Sequence, residues 1–224
     1  MHMLSSNASL SNSGIDKASS PVEQAYQYIV NCILSGEFTA GMRIPTESVA
    51  EVLGISRTPV RDALRSLEGD GAVMIYANRG ASVANYSRSE VTQLIEMRAV
   101  LEGLAARCAL PNIGPGELDE LSHLRSRMER ESSSLSAWMA AHDAFHNYLT
   151  SLSRRPLLAR QTEKMRFMLL PYYRHYYSQS LEMEILGLEH DKLISAVELN
   201  DGNHLEQIVR QHAMVNVQKV ADLA

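Results

Sequence analysis

Two short apolar helices joined through Leu53-Gly54-Ile55-Ser56 constrain the fold of this chain more than any other feature. Val49, Ala50 and Leu53 mark the inward stripe of the first helix, over about 46–53. Gly54 ends it, Ile55 is an apolar residue in the turn, and Ser56 is a good N-cap for a second helix running to about Glu68. Pro59 falls in the first turn of that second helix, where a missing N–H does little harm. A preceding helix begins at Pro21, with Val22, Ala25, Tyr26, Ile29, Ile33 and Leu34 at spacings of three and four. After Gly69 and Gly71 come two extended runs, 72–76 and 81–84, around Asn78-Arg79-Gly80, which is the pattern of a β-hairpin. Residues 21–86 therefore read as a winged helix-turn-helix whose second paired helix enters a DNA major groove.

That helix carries Arg57, Thr58, Arg61 and Arg65. Arginines four apart share a face, opposite Val60, Ala63, Leu64 and Leu67. The helix N-terminus adds free backbone N–H groups suited to phosphate. An arginine near the tip can read guanine while others hold phosphates. Charge alone argues the other way. The chain carries a net −5, and residues 21–87 hold five arginines against seven carboxylates. The case rests on where the arginines point, not on their number. Their spacing alone also fits an ordinary solvated helix face; the glycine turn, the cap and the hairpin in register are what favour DNA.

Beyond Tyr86 the sequence reads as helical throughout, with helices near 89–109, 116–132, 135–152, 156–178, 181–199 and 203–222. Short turn signals separate them, so residues 87–224 are expected to form an antiparallel all-helical bundle. The fold class is mainly α: a winged helix-turn-helix followed by that bundle. Residues 1–20, rich in Ser and Asn, read as a disordered tail. No apolar run approaches the roughly 18–20 residues of a membrane span, and no secretory signal pattern opens the chain. Cys32 and Cys108 lie far apart, which speaks against a disulfide scaffold. A cytoplasmic protein without membrane association is expected.

The bundle contains four histidines on or beside apolar stripes. His142 and His146 are one turn apart beside Trp138, Ala141, Phe145 and Leu149. His190 lies on the stripe of Leu186, Leu193, Ile194 and Val197, and His212 on that of Leu205, Ile208, Val209 and Val215. His123, His175 and His204 lack this placement. An i, i+4 pair puts two imidazoles on one helix face, as metal sites built on helices require. Any one of the four reads as a core histidine with local hydrogen bonds. Four on three helices are hard to satisfy that way, because each ring needs partners for both nitrogens. A shared divalent cation removes the difficulty, and imidazole ligation suits zinc, nickel, copper or iron. The aromatic run 171–177 offers pocket, dimer or packing roles without choosing among them, and Pro171 is expected to kink its helix.

The run Gly41-Met42-Arg43-Ile44-Pro45-Thr46-Glu47, followed by Leu53-Gly54-Ile55-Ser56-Arg57-Thr58-Pro59-Val60-Arg61-Asp62-Ala63-Leu64, resembles the N-terminal domain of GntR-family transcriptional regulators. Asn78-Arg79-Gly80-Ala81 is similar to that family's wing tip. The resemblance implies DNA contacts by Ser56, Arg57, Thr58 and Arg61, with Arg65 on the same face and Arg79 and Gly80 at a wing near the minor groove. Some members offer a basic phosphate contact where this chain has Glu47.

The histidine segments resemble the metal-containing branch of the FCD domain. Members of that branch carry an Asp four residues before the first ligand histidine; here that residue is His142, which turns an Asp-His-His-His set into His142, His146, His190 and His212. Asp143, next door, is the second candidate for that place. Arg98, four residues before Glu102, matches the first helix of such a domain. It suits an effector carboxylate by bidentate pairing, or else forms a surface i, i+4 pair. The resemblance covers about residues 21–221. It implies a homodimer on a pseudo-palindromic operator, a divalent transition metal with zinc or nickel as first choices, and a small carboxylate effector. Two other readings stand beside it: a sensor for which the metal is the signal, and a metal hydrolase or oxygenase with an appended DNA domain. The second lacks an obvious general base on the metal-facing stripes.

Overall fold

The computed structural model describes residues 19–77, 79–179 and 183–224, with the side chains of 183–188 excepted. The tail expected over 1–20 lies outside the described residues as far as residue 18, as do Asn78 and the side chain of Leu186.

The N-terminal part begins with α1 (Pro21–Ser35), capped by Ser20, whose hydroxyl accepts from the Glu23 N–H at 3.2 Å. Proline at its first position and Gly36 at φ +81° after its last turn fix both ends. Next come β1 (Arg43–Ile44), α2 (Thr46–Leu53), α3 (Arg57–Gly69), β2 (Val73–Tyr76) and β3 (Gly80–Val83). Gly54, at φ +66°, makes the turn between α2 and α3. The sheet has the order β1-β3-β2 and is antiparallel throughout, with Val73 opposite Val83 and Tyr76 opposite Gly80. β1 is an addition to the expected hairpin. Its two residues pair with Ser82 and Ala81, too short a run to show alternation in sequence.

The C-terminal part is helical: α4 (Arg88–Ala109), a 3₁₀ turn (Leu110–Asn112), α5 (Pro115–Arg130), α6 (Leu135–Ser151), α7 (Pro156–Gln179), α8 (Met183–Glu198), α9 (Gly202–Met214) and α10 (Val217–Ala221). Ser87 and Glu90 form a capping box at the start of α4. α7 runs through Pro171 as one helix. The single helix expected over 203–222 is two, broken at Val215-Asn216. β-branched residues around an asparagine are weak helix formers, and Val215 is exposed, so packing does not compensate there.

One buried cluster runs through both parts, from Ala25, Ile29 and Leu67 to Trp138, Phe145, Leu193 and Leu205. A second, with Val91, Ile95, Leu169, Tyr172 and Val220, lies beside the segment linking the two parts. Polar bonds cross the same boundary. Tyr86 Oη donates to the Gly71 carbonyl at 2.6 Å, Lys164 Nζ to the Gly69 carbonyl at 2.7 Å, and Arg174 to the Ser35 carbonyl. Among the described residues no helix is long and apolar enough to cross a membrane.

Candidate DNA-reading face and histidine cavity

α3 buries Val60, Ala63, Leu64 and Leu67 and exposes Arg57, Thr58, Arg61 and Arg65. Ser56 occupies the N-cap position in extended backbone, but its hydroxyl makes no capping bond. Ser56 thus takes the N-cap position expected from the sequence, but through its backbone alone, with the hydroxyl exposed at the helix tip. Arg57 pairs with Glu47 of α2 at 3.0 Å, and Arg65 with Asp62 at 3.0 Å, both in solvent. Exposed pairs of this kind contribute about 0–1 kcal/mol, so neither holds its arginine away from another anion.

Arg79 and Gly80 are exposed at the wing, where Gly80 takes φ +84°. A residue that sequence reasoning passed over joins this face. Arg43, on β1, brings its Nε to 3.5 Å from where a Cβ on Gly80 would stand. Arg43, Glu47, Arg57, Arg61, Arg65 and Gly80 line one groove of about 710 Å³. Only the pairing of β1 with β3 places Arg43 there, and a two-residue strand carries no periodic signal.

In the bundle, α6, α8 and α9 bring four imidazoles together. His142, His146, His190 and His212 each offer a ring nitrogen, and these nitrogens lie within 4.8 Å of one another. His146 Nε2 is 3.2 Å from His190 Nε2 and 3.3 Å from His212 Nε2. An sp² ring nitrogen has one proton or one lone pair, so His146 Nε2 can satisfy only one of those contacts. A divalent cation among the four would satisfy all of them, and the donor set fits that ion. His146 is 3% exposed and His190 1%. Burial holds the His146 imidazole well below its ordinary pKa, with further depression from its neighbouring histidines, and His212 is lowered in the same way. Both rings are therefore neutral, the form a metal requires. Phe145 presents its ring at right angles to His146 and His190, and Trp138 stacks on His142.

Asp143 is outside this convergent set. Its Oδ1 lies 3.8 Å from His142 Nδ1 and 3.9 Å from Arg166 Nε, beyond hydrogen-bond range of both.

Arg98 faces the cavity beside the imidazoles. It and Glu102 are both buried, at 7% and 2% exposure, so the surface i, i+4 pair does not form. Arg98 Nε is 3.8 Å from Glu102 Oε2, Nη2 donates to the Ala213 carbonyl at 3.3 Å, and the guanidinium lies over the Tyr173 ring at 4.9 Å. Arg98, Arg166, His142, His212, Tyr173 and Tyr177 help to line a cavity of about 40 Å³. Arg166 is the second residue that sequence reasoning missed. It is buried on α7, donates to Glu102 and to Asn147, and gave no signal in sequence because nothing there distinguishes it from the other arginines of α7. Tyr173 and Tyr177, open in role from sequence, both face this cavity.

An exposed arginine face on a winged helix-turn-helix, joined to a helical bundle that gathers four histidines beside a small cavity, defines a DNA reader with a second, internal site. The profile of the bacterial regulatory proteins of the gntR family matches residues 21–83, and that of the FCD domain matches residues 93–214. The chain belongs to the GntR family, in its FCD-containing form, and is a DNA-binding transcriptional regulator. It is 31% identical over 135 residues to an uncharacterized HTH-type transcriptional regulator in the TAR-I ttuE-ttuC' intergenic region of Agrobacterium vitis, across 58% of this chain and 79% of that one. It is 26% identical over 203 residues to the HTH-type transcriptional repressor GlaR of Escherichia coli K12, across 86% of this chain and 92% of that one. Among solved structures, E. coli McbR/YncC has a TM-score of 0.81 at 21% identity, over 91% of this chain and 98% of that chain, a likeness of fold. The relatives are regulators rather than enzymes.

Proposed function

We propose that this regulator binds a pseudo-palindromic operator as a homodimer, and that a small organic acid beside a histidine-held metal sets its affinity for that operator. The observation that carries the reading is the convergence of four imidazoles, two of which, His142 and His212, line one cavity with buried Arg98. His142, His146, His190 and His212 would hold the ion, with zinc or nickel suited to all-imidazole ligation. When bound, the metal supplies a fixed positive charge that anchors an anion. Arg98 supplies the directional part, donating to an effector carboxylate while Tyr173 keeps the guanidinium in place.

DNA is read by Arg57, Thr58, Arg61 and Arg65 in the groove, with Ser56 at the helix tip and Arg79 and Gly80 at the wing. Dimer symmetry would set two such helices on related half-sites. Exposed Met97 and Val100 on the outer face of α4 support a second copy there. α7 supports the link between the two parts: Arg166 lines the cavity, while Lys164 of the same helix bonds the last carbonyl of α3 and Met168 packs against Gly71. A ligand that moves α7 reaches the reading helix directly. Such coupling requires different ligand affinity in the DNA-bound and free arrangements.

Elemental analysis of purified protein tests the reading. One metal per chain is expected, falling below a tenth in His146→Ala and His190→Ala. Equal metal content in wild type and variants would overturn the ligand assignment. Operator release on chelation alone, without any acid present, would make the metal itself the signal.

A further inference from the structure

Four of the five arginines between residues 21 and 87, Arg43, Arg57, Arg61 and Arg65, line one groove, and of the seven carboxylates in that stretch only Glu47 joins them. A segment that is acidic on balance has gathered its positive charge on one face. The four arginines are not equally free. Arg57 pairs with Glu47 and Arg65 with Asp62. Among the described residues, Arg43 and Arg61 have neither an ion pair nor a side-chain hydrogen bond.

Arg61 belongs to α3, but Arg43 reaches the groove from β1. Ile44, the next residue, is 2% exposed and anchors the strand, while Arg43 itself stands opposite Ser82 of β3. The sheet therefore fixes the backbone from which Arg43 projects. Its side chain is exposed, and both Nε and Nη2 lie 3.5 Å from where a Cβ on Gly80 would stand. Gly80, without a side chain, leaves that guanidinium uncovered. Arg43 thus ends beside the first residue of β3, in the groove that α3 shares with the wing.

Geometry gives the partner. An α-helix with its side chains is about 10–12 Å across, and the major groove of B-DNA is about 12 Å wide. A helix seated there fills the groove from wall to wall. A group that stands beside α3 on the same face meets the sugar–phosphate backbone that forms the wall, not a base edge. An exposed guanidinium without a carboxylate partner suits a phosphate, which it can hold by two parallel N–H···O bonds.

We propose that Arg43 holds a DNA phosphate at the wall of the major groove occupied by α3, adding affinity without adding sequence preference. This rests on the reading of α3 as the recognition helix given above.

The test is a fluorescence-anisotropy titration of the full-length chain over a series of salt concentrations, on two duplexes. One is selected by the wild-type chain from a random pool, and the other is of random sequence. Arg43→Gln should weaken binding to both by the same factor, roughly two- to fivefold for each protomer bound. The slope of log affinity against log salt should become shallower by about 0.9 per protomer. Arg43→Lys should keep the wild-type slope. Lys219→Gln, which removes an exposed charge from the bundle, should keep it too. Arg61→Ala should instead weaken the selected duplex more than the random one. An unchanged slope in Arg43→Gln, a loss confined to the selected duplex, or an equal change of slope in Lys219→Gln would overturn the phosphate contact and leave α3 as the reader. An unchanged preference in Arg61→Ala would overturn the helix reading on which the proposal rests, whatever the slope.

Discussion

The arginines of α3 and those of the bundle cavity are the same residue put to opposite uses. Arg57 and Arg65 keep 62% and 73% of their side-chain surface in water, and each shares an exposed carboxylate. Arg98 and Arg166 keep 9% and 5%, and share one buried carboxylate, Glu102. In water an ion pair is weak and exchangeable, which suits a surface that must trade Glu47 for DNA phosphate. In the interior the same pair is fixed, because removing either partner strands a charge. A reader needs the first arrangement, and the effector site proposed for the bundle would need the second.

The largest effect should come from breaking the buried side. Arg166→Ala should lower unfolding free energy by about 3 kcal/mol in chemical denaturation, since Glu102 loses its hydrogen-bonded arginine and keeps only Arg98 at 3.8 Å. Exchanging the pair together, as Glu102→Leu/Arg166→Met, should recover only part of that loss, because buried Arg98 then loses its carboxylate. If Arg166→Ala moves stability no more than Arg65→Ala does, the contrast between the two environments fails.

On the exposed side, Arg61→Ala should weaken operator binding by about 1–3 kcal/mol, with the thermal midpoint held. A lowered midpoint with unchanged operator affinity would make Arg61 a structural residue. Between the two regions, Lys164→Met should remove one charge-assisted bond to the α3 terminus, a loss of about 1 kcal/mol or somewhat more. Its diagnostic readout is the effector-induced change in operator affinity, which should shrink while effector affinity stays the same. The smallest effect belongs to Glu47→Gln. Stability should change by less than about 1 kcal/mol, while affinity for nonspecific DNA should rise, because one like charge leaves the groove. Titration against random-sequence duplex at two salt concentrations checks this.

Much of the reading face was legible because its signals are local. Gly54, Ser56 and the four-residue arginine spacing act within two helices and a turn, and α3 follows from them. Arg43 was not legible, since its place depends on a two-residue strand pairing with β3 far along the chain. The histidines stood out because they interrupt apolar stripes, which is a periodic and therefore sequence-visible anomaly. Arg166 interrupts nothing comparable, and its burial follows from how α7 packs against α4 and α6.

Local chemistry along the chain thus determined the helices, the turn, the hairpin and which side chains of each helix face inward, because those depend on backbone propensity and on periods of two and 3.6 residues. Packing in three dimensions alone decided that nitrogens from α6, α8 and α9 meet within 4.8 Å, that Asp143 stays outside their set, and that Glu102 lies between two arginines. Distances between helices depend on the volumes of all the side chains wedged between them, and no stretch of sequence carries that sum.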